Sequence, residues 1–137
     1  MSHRIRRVDY FYATVKDRPG ELGELLTYLA QQGVNLLAFN AIPTGPEVTQ
    51  LALFPEVNWA LTDSAAKSGM RLEGPHHAIL VQGDDHLGAL VDVHHKLAQA
   101  QVNVYASNAI TDGNGRYGYL IYVRSDEFPK AASTLGI

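Results

Sequence analysis

The chain has 137 residues, 46% of them hydrophobic and none of them cysteine, which allows one ordinary domain or two very small ones and excludes disulfide frameworks and thiol chemistry. The formal net charge of −3 is evenly spread, with 6 Lys/Arg against 7 Asp/Glu in residues 1–69 and 5 against 7 in residues 70–137, so neither half carries the footprint of a nucleic-acid binder. No apolar run approaches the roughly 18 residues of a membrane span, and no apolar stretch behind the first residues marks a secretory leader, so a soluble cytoplasmic protein without nucleic-acid or membrane partners is expected.

Arg4, Arg6 and Arg7 open the chain as a solvated basic segment. Tyr10 to Val15 is a β-branched and aromatic run and predicts a strand. Asp17-Arg18-Pro19-Gly20 predicts a turn, because Pro presets φ and Gly admits a tight backbone. Leu22, Leu25, Leu26 and Leu29 follow at helical spacing, and Gly33 ends that helix. Val34 to Ile42 is a second strand, Pro43, Gly45 and Pro46 a loop, and Val48 to Phe54 a third strand. Asn58 to Ser68 reads as a weaker helix stopped by Gly69, and Met70 to Glu73 as a short fourth strand. The order β-α-β-β-α-β is the split arrangement of ferredoxin-like folds.

A shift of 68 residues lays this pattern on the rest of the chain. Asp17, Gly20, Leu29, Ala30 and Gln31 then fall on Asp85, Gly88, Leu97, Ala98 and Gln99. Val34, Asn35 and Ala38 fall on Val102, Asn103 and Ala106, and Asn40, Ala41 and Ile42 on Asn108, Ala109 and Ile110. The second copy has a strand at His77 to Gln82, a helix from about Gly88 to Ala100, and strands at Val102 to Ile110 and Tyr117 to Val123, joined through Thr111 to Gly115. A last helix starts near Asp126. No fourth strand follows it, and a bare sheet edge invites pairing. Either Arg4 to Arg7 or a partner chain would fill the place.

The stretch VKDRPGELGELLTYLAQQGVNLLAF resembles the first half of an ACT domain, whose marks are an Asp-x-Pro-Gly turn, an amphipathic helix and a Gly-Val-Asn opening the next strand. Here these are Asp17 to Gly20 and Gly33-Val34-Asn35. The resemblance covers residues 10–54 and recurs through LGALVDVHHKLAQAQVNV, where Asp85-His86-Leu87-Gly88 departs from the pattern and Gln101 replaces the terminal Gly. It implies an α+β chain of two ferredoxin-like βαββαβ modules in tandem, at 1–74 and 75–137, with antiparallel sheets and helices on one face. It further implies a stand-alone, non-catalytic, amino-acid-binding regulatory protein that acts on a protein partner.

The residues support an amino-acid site without the family. The N–H groups of Gly20 and Glu21 start a helix, lack intrahelical partners and sit at its positive pole, which suits a carboxylate. Asp17 would pair with an ammonium, Asn35 and Asn40 offer donors and acceptors, and Arg18, Pro19 and Leu22 complete the turn. This first turn, near a module or subunit interface, is the expected ligand site; the second copy, with a less preset turn, offers Asp85, His86, Leu87, Gly88, Asn103 and Asn108. Plainer roles stand beside these: Asp17 caps the helix, Gly20 serves only the turn, and Asn35 and Asn103 hold local backbone bonds.

The pairs His76-His77 and His94-His95 lack the spacing of a zinc site. His94 aligns with Leu26 and reads as a partly buried packing residue, and His95 as exposed. No catalytic set, metal ligands or cofactor motif stands out. Tyr117, Tyr119, Ile121 and Val123 share one strand face, Leu120 and Tyr122 the other. With both faces apolar, a homodimer packed sheet on sheet through residues such as Tyr119 and Phe39 is expected. The rival readings are a ligand-free structural or protein-interaction module, and a small enzyme using His86 or His94-His95.

Overall fold

The computed structural model describes residues 3–137; residues 1 and 2, which open the first expected module, lie outside it. In chain order the elements are β1 (His3–Lys16), α1 (Glu21–Gln31), β2 (Leu36–Gly45), β3 (Val48–Pro55), α2 (Asn58–Ser68), β4 (Glu73–Asp84), α3 (Val91–Gln99), β5 (Ala106–Thr111), β6 (Arg116–Tyr122) and α4 (Phe128–Leu135). They form two compact units: one is Asp9–His76, the other the segment up to Val8 together with His77–Ile137. The change of unit falls inside β1 and inside β4.

In the Asp9–His76 unit the strand order is β2-β3-β1-β4. β3 runs antiparallel to both β1 and β2, with Phe11 opposite Leu53 and Phe39 opposite Leu53 on the other side. Alternation along the strands sends Phe11 and Ala13 of β1 and Leu51 and Leu53 of β3 to one side, where Leu29 of α1 and Leu61 of α2 meet them. α2 stops at Gly69, which takes the left-handed φ of 75° that a helix end of this type requires. The fourth strand starts later than the sequence indicated and is continuous with the strand expected at His77 to Gln82. Met70, Arg71 and Leu72 are not strand, Leu72 and Met70 packing instead on the core, and β4 begins at Glu73.

In the other unit the order is β5-β6-β4-β1, with β6 antiparallel to β4 and β5. Ile79 and Val81 of β4 and Tyr117, Tyr119 and Ile121 of β6 face Val93 and Leu97 of α3 and Phe128, Ala131 and Ala132 of α4. The vacant fourth-strand place is filled from within the chain. Ile5 packs on this core, Arg7 lies over the Phe128 ring at 5.3 Å, and Arg6 reaches Gln82 at 3.4 Å. Each unit is thus a four-stranded antiparallel sheet with two helices on one face, the α+β ferredoxin-like architecture expected.

Tyr119 points into the helix-covered core and is 4% exposed, so it does not share an open face with Phe39. On the faces away from the helices, Tyr10, Phe54, Ala78, Leu80 and Leu120 are already buried in the single chain, and Tyr10 stacks against Phe54 at 4.9 Å. Large exposed apolar groups lie elsewhere, Phe39 and Ile42 on β2 and Ile110 on β5, which is exposed at every residue.

Candidate functional site

In both units the first strand of the repeat, β1 or β4, delivers the chain into a turn before its helix. The Asp17 N–H donates to the Glu47 carbonyl at 2.9 Å, and the Asp85 N–H to the Gly115 carbonyl at 2.8 Å, so each aspartate backbone is tied to a hairpin tip. Glycine follows with left-handed φ, 90° at Gly20 and 74° at Gly88. No side chain caps α1 or α3. Asp17 is therefore not a helix cap. The Glu21, Ala89 and Val91 N–H groups donate to the Arg18, His86 and Gly88 carbonyls, so an anion would meet only the remaining N–H groups of each first turn.

The two turns differ in their side chains. At the first, the Arg18 guanidinium lies 2.7 Å from the Glu21 carboxylate and bridges the turn. Pro19 is exposed, and Leu22 packs on the core. At the second, Ala89 and Leu90 stand where the repeat has Glu21 and Leu22. His86 Nδ1 rests 3.0 Å from the Leu87 carbonyl, and Leu87 projects fully into solvent. A hollow of about 390 Å³ opens there, lined by Asp85, His86, Gly88 and Val91 on one side and by Ile110, Thr111 and Tyr117 on the other.

This hollow combines three kinds of partner within one unit. Asp85 supplies a negative charge, the start of α3 supplies a positive pole, and Val91, Ile110, Ala89 and Leu90 supply apolar wall. Burial raises the Tyr117 phenol above its ordinary range, against a smaller opposing pull from Arg116. The phenol is thus a neutral hydroxyl at physiological pH.

The asparagines do not join the turns. Asn35 lies beyond the far end of α1, about 16 Å along an 11-residue helix from Gly20. Its Nδ2 donates to Glu56 at 3.1 Å, while the Glu56 N–H donates to the Asn35 carbonyl at 2.9 Å. In the other unit the Asn103 N–H donates to the Glu127 carboxylate at 3.3 Å. Both hold the helix-to-strand junction. Asn40 stands on β2 opposite Ala52 and Asn108 on β5 opposite Leu120, and Asn108 does not line the hollow. The sequence reading missed Ile110, Thr111 and Tyr117 as wall residues. They arrive through the β5–β6 register, which sets Thr111 against Tyr117. The available signal was the pairing of two apolar strands across Asp112-Gly113-Asn114.

His94 is half-buried with Nε2 2.6 Å from the Tyr119 hydroxyl, and His95 is exposed. Among the described residues no three His, Asp or Glu side chains converge as a metal site, and no helix is long and apolar enough to cross a membrane.

No known family profile matches the sequence, and no curated protein matches it. Solved structures do resemble the fold. A protein from Bacteroides thetaiotaomicron superposes with a TM-score of 0.79 at 14% identity, over 96% of this chain and 88% of that one. The ligand-free regulatory subunit of aspartate kinase from Thermus thermophilus superposes at 0.63 with 12% identity, over 99% and 96%. The regulatory subunit of aspartate kinase from Thermus flavus does so at 0.54 with 15% identity, over 98% and 94%. At these identities the likeness is one of fold.

Proposed function

We propose that this chain is a non-catalytic, cytoplasmic regulatory protein that binds a free amino acid at the turn between β4 and α3. The observation that carries this reading is the hollow itself, in which Asp85, the uncapped start of α3 and an apolar wall meet within one unit. A zwitterion needs an anionic partner for its ammonium and backbone N–H groups for its carboxylate, and its side chain needs a wall. The hollow's size, about 390 Å³, suits a small metabolite. The resemblance to the ACT pattern and the fold shared with aspartate kinase regulatory subunits point the same way. The first turn is the weaker candidate, since the Arg18–Glu21 ion pair spans it where the second turn has His86 and Ala89.

Binding would act on a protein partner by favouring one of two states. The homodimer belongs to this proposal too, through the exposed edge strand β5 rather than through a sheet face. The second reading, a ligand-free interaction module, draws on Leu87, Val91 and Ile110, which are 102%, 48% and 76% exposed and flank the same hollow.

Thermal melting of the full chain against each of the twenty amino acids tests the choice. Binding to the folded state alone stabilises by RT ln(1 + [L]/Kd), about 2.7 kcal/mol at a hundredfold excess over Kd. A shift of several degrees with one or a few related amino acids is expected. Asp85→Asn should weaken that response at least about tenfold, the worth of a charged hydrogen bond. A flat panel, together with capture of a protein partner that Leu87→Asp abolishes, would replace this reading with the interaction module.

A further inference from the structure

A second hollow lies in the same unit and adjoins the first, with which it shares Ile110, Thr111 and Tyr117. It measures about 550 Å³ and is lined by Arg4, Gln82, Thr111, Asp112, Arg116 and Gly118. Strand alternation explains who meets there. Ile5, Val81 and Tyr117 face the helices, so Arg4 and Arg6, Gln82 and Asp84, and Arg116 and Gly118 occupy the helix-free face.

The polar groups around it are mostly donors. Arg116 uses Nη1 on Asp84 at 2.8 Å and keeps the rest of its fork. Gln82 Oε1 accepts from Arg6 Nη2 at 3.4 Å, which leaves the Gln82 amide NH2 as a donor. The Arg6 Nε is buried without a hydrogen-bond partner among the described residues, a costly state for a guanidinium. Of the carboxylates, Asp84 is engaged by Arg116, and Asp112 accepts the N–H groups of Asn114 at 2.7 Å and of Arg116 at 3.1 Å. Two guanidinium groups, those of Arg4 and Arg116, thus line the hollow against the one carboxylate of Asp112, with the Arg6 and Asp84 charges beside it. Above Gly118 there is open space, since a Cβ built there meets nothing within 4 Å, so an anion has access to that strand.

The other unit has a hollow against its own β1–β3 pair, with a single arginine in its lining. It is lined by Thr14 and Gln50, which the 68-residue shift places on Gln82 and Gly118, and by Arg71 beside Glu73.

We propose that the Arg4–Gln82–Arg116 hollow binds a small phosphate-bearing anion, through guanidinium forks that match phosphate oxygens. The test uses the full chain, with amide NMR shifts followed during titration by inorganic phosphate and, separately, by glycerol 3-phosphate, against sodium chloride at equal ionic strength. Saturable shifts at Gln82, Arg116 and Gly118 are expected, weakened at least tenfold by Arg4→Gln, partly retained in Arg4→Lys and untouched by Arg71→Gln. Tighter binding of the ester supports a phosphorylated metabolite, and equal binding supports free phosphate. Arg116→Gln serves as the second variant if Arg4→Gln loses its dispersed spectrum. Shifts that match chloride, or saturable shifts indifferent to both Arg4→Gln and Arg116→Gln, would overturn the proposal.

Discussion

Two helices of this chain end on the same backbone with different residues. α1 is followed by Gly33 at φ 73° and α3 by Gln101 at φ 60°, positions that the repeat superposes. The bonds match as well. The Gly33 N–H meets the Ala30 carbonyl at 3.1 Å and the Val34 N–H the Leu29 carbonyl at 2.9 Å, while Gln101 to Ala98 and Val102 to Leu97 are both 2.9 Å. A left-handed conformation costs an ordinary L-residue about 1–2 kcal/mol. Glycine gives back about 0.4–1 kcal/mol of that through its freer unfolded chain. Gln101→Gly should therefore stabilise the protein by roughly 0.5–1 kcal/mol, or about 2–4 °C in melting temperature for a chain of this length. Gly33→Gln should cost a comparable amount, because a Cβ there meets nothing within 4 Å and adds no clash. Calorimetry and urea denaturation of both variants, with the double exchange expected near wild type, measure the effect. If Gln101→Gly proved neutral or destabilising, backbone conformation would not be the governing term at this helix end.

Gly74→Ala should destabilise by more than about 2 kcal/mol, read by chemical denaturation, since its φ is 144° and a Cβ would lie 2.9 Å from the Tyr10 carbonyl oxygen. Tyr119→Phe removes the partner of His94 Nε2 and should cost about 1 kcal/mol; Tyr119→Asp should cost about 3 kcal/mol or more by burying a charge. Phe39→Asp, at a site 39% exposed, should change stability by less than about 1 kcal/mol, and size-exclusion chromatography will show whether it alters association. The N–H groups of Asn114 and then Arg116 hold the Asp112 carboxyl below its ordinary range. Its folded pKa being depressed, its stabilisation is present above the unfolded value and is lost as pH falls through the folded one. The melting-temperature gap between wild type and Asp112→Ala should thus be constant near neutrality and close in acid.

Glycine punctuation made the fold legible. Gly20, Gly33, Gly69 and Gly88 all take left-handed φ, and each marked a boundary in the sequence. The repeat located both copies of the turn because backbone geometry, rather than contact chemistry, selects those residues. What was illegible depended on partners distant in sequence. Val8 is followed by a change of unit within one unbroken strand, as is His76, and no local residue announces it. The strand alternation of β6 was read correctly, but only packing decides which face meets α3 and α4. The wall of the candidate site escaped notice for the same reason. Ile110, Thr111 and Tyr117 reach it through hairpin register, while Asn35 and Asn103, attractive by residue type, lock helix ends to Glu56 and Glu127.

The division of β1 orders events on the ribosome. Ile5 and Arg7 emerge long before Phe128, which belongs to the core and ring they cover. The unit from Asp9 to His76 has all its strands once His76 has been synthesised. In its sister the basic segment waits for strand and helix partners made much later, through α4. Arg4, Arg6 and Arg7 suit that wait, since charge on a lone strand discourages premature pairing with other nascent chains.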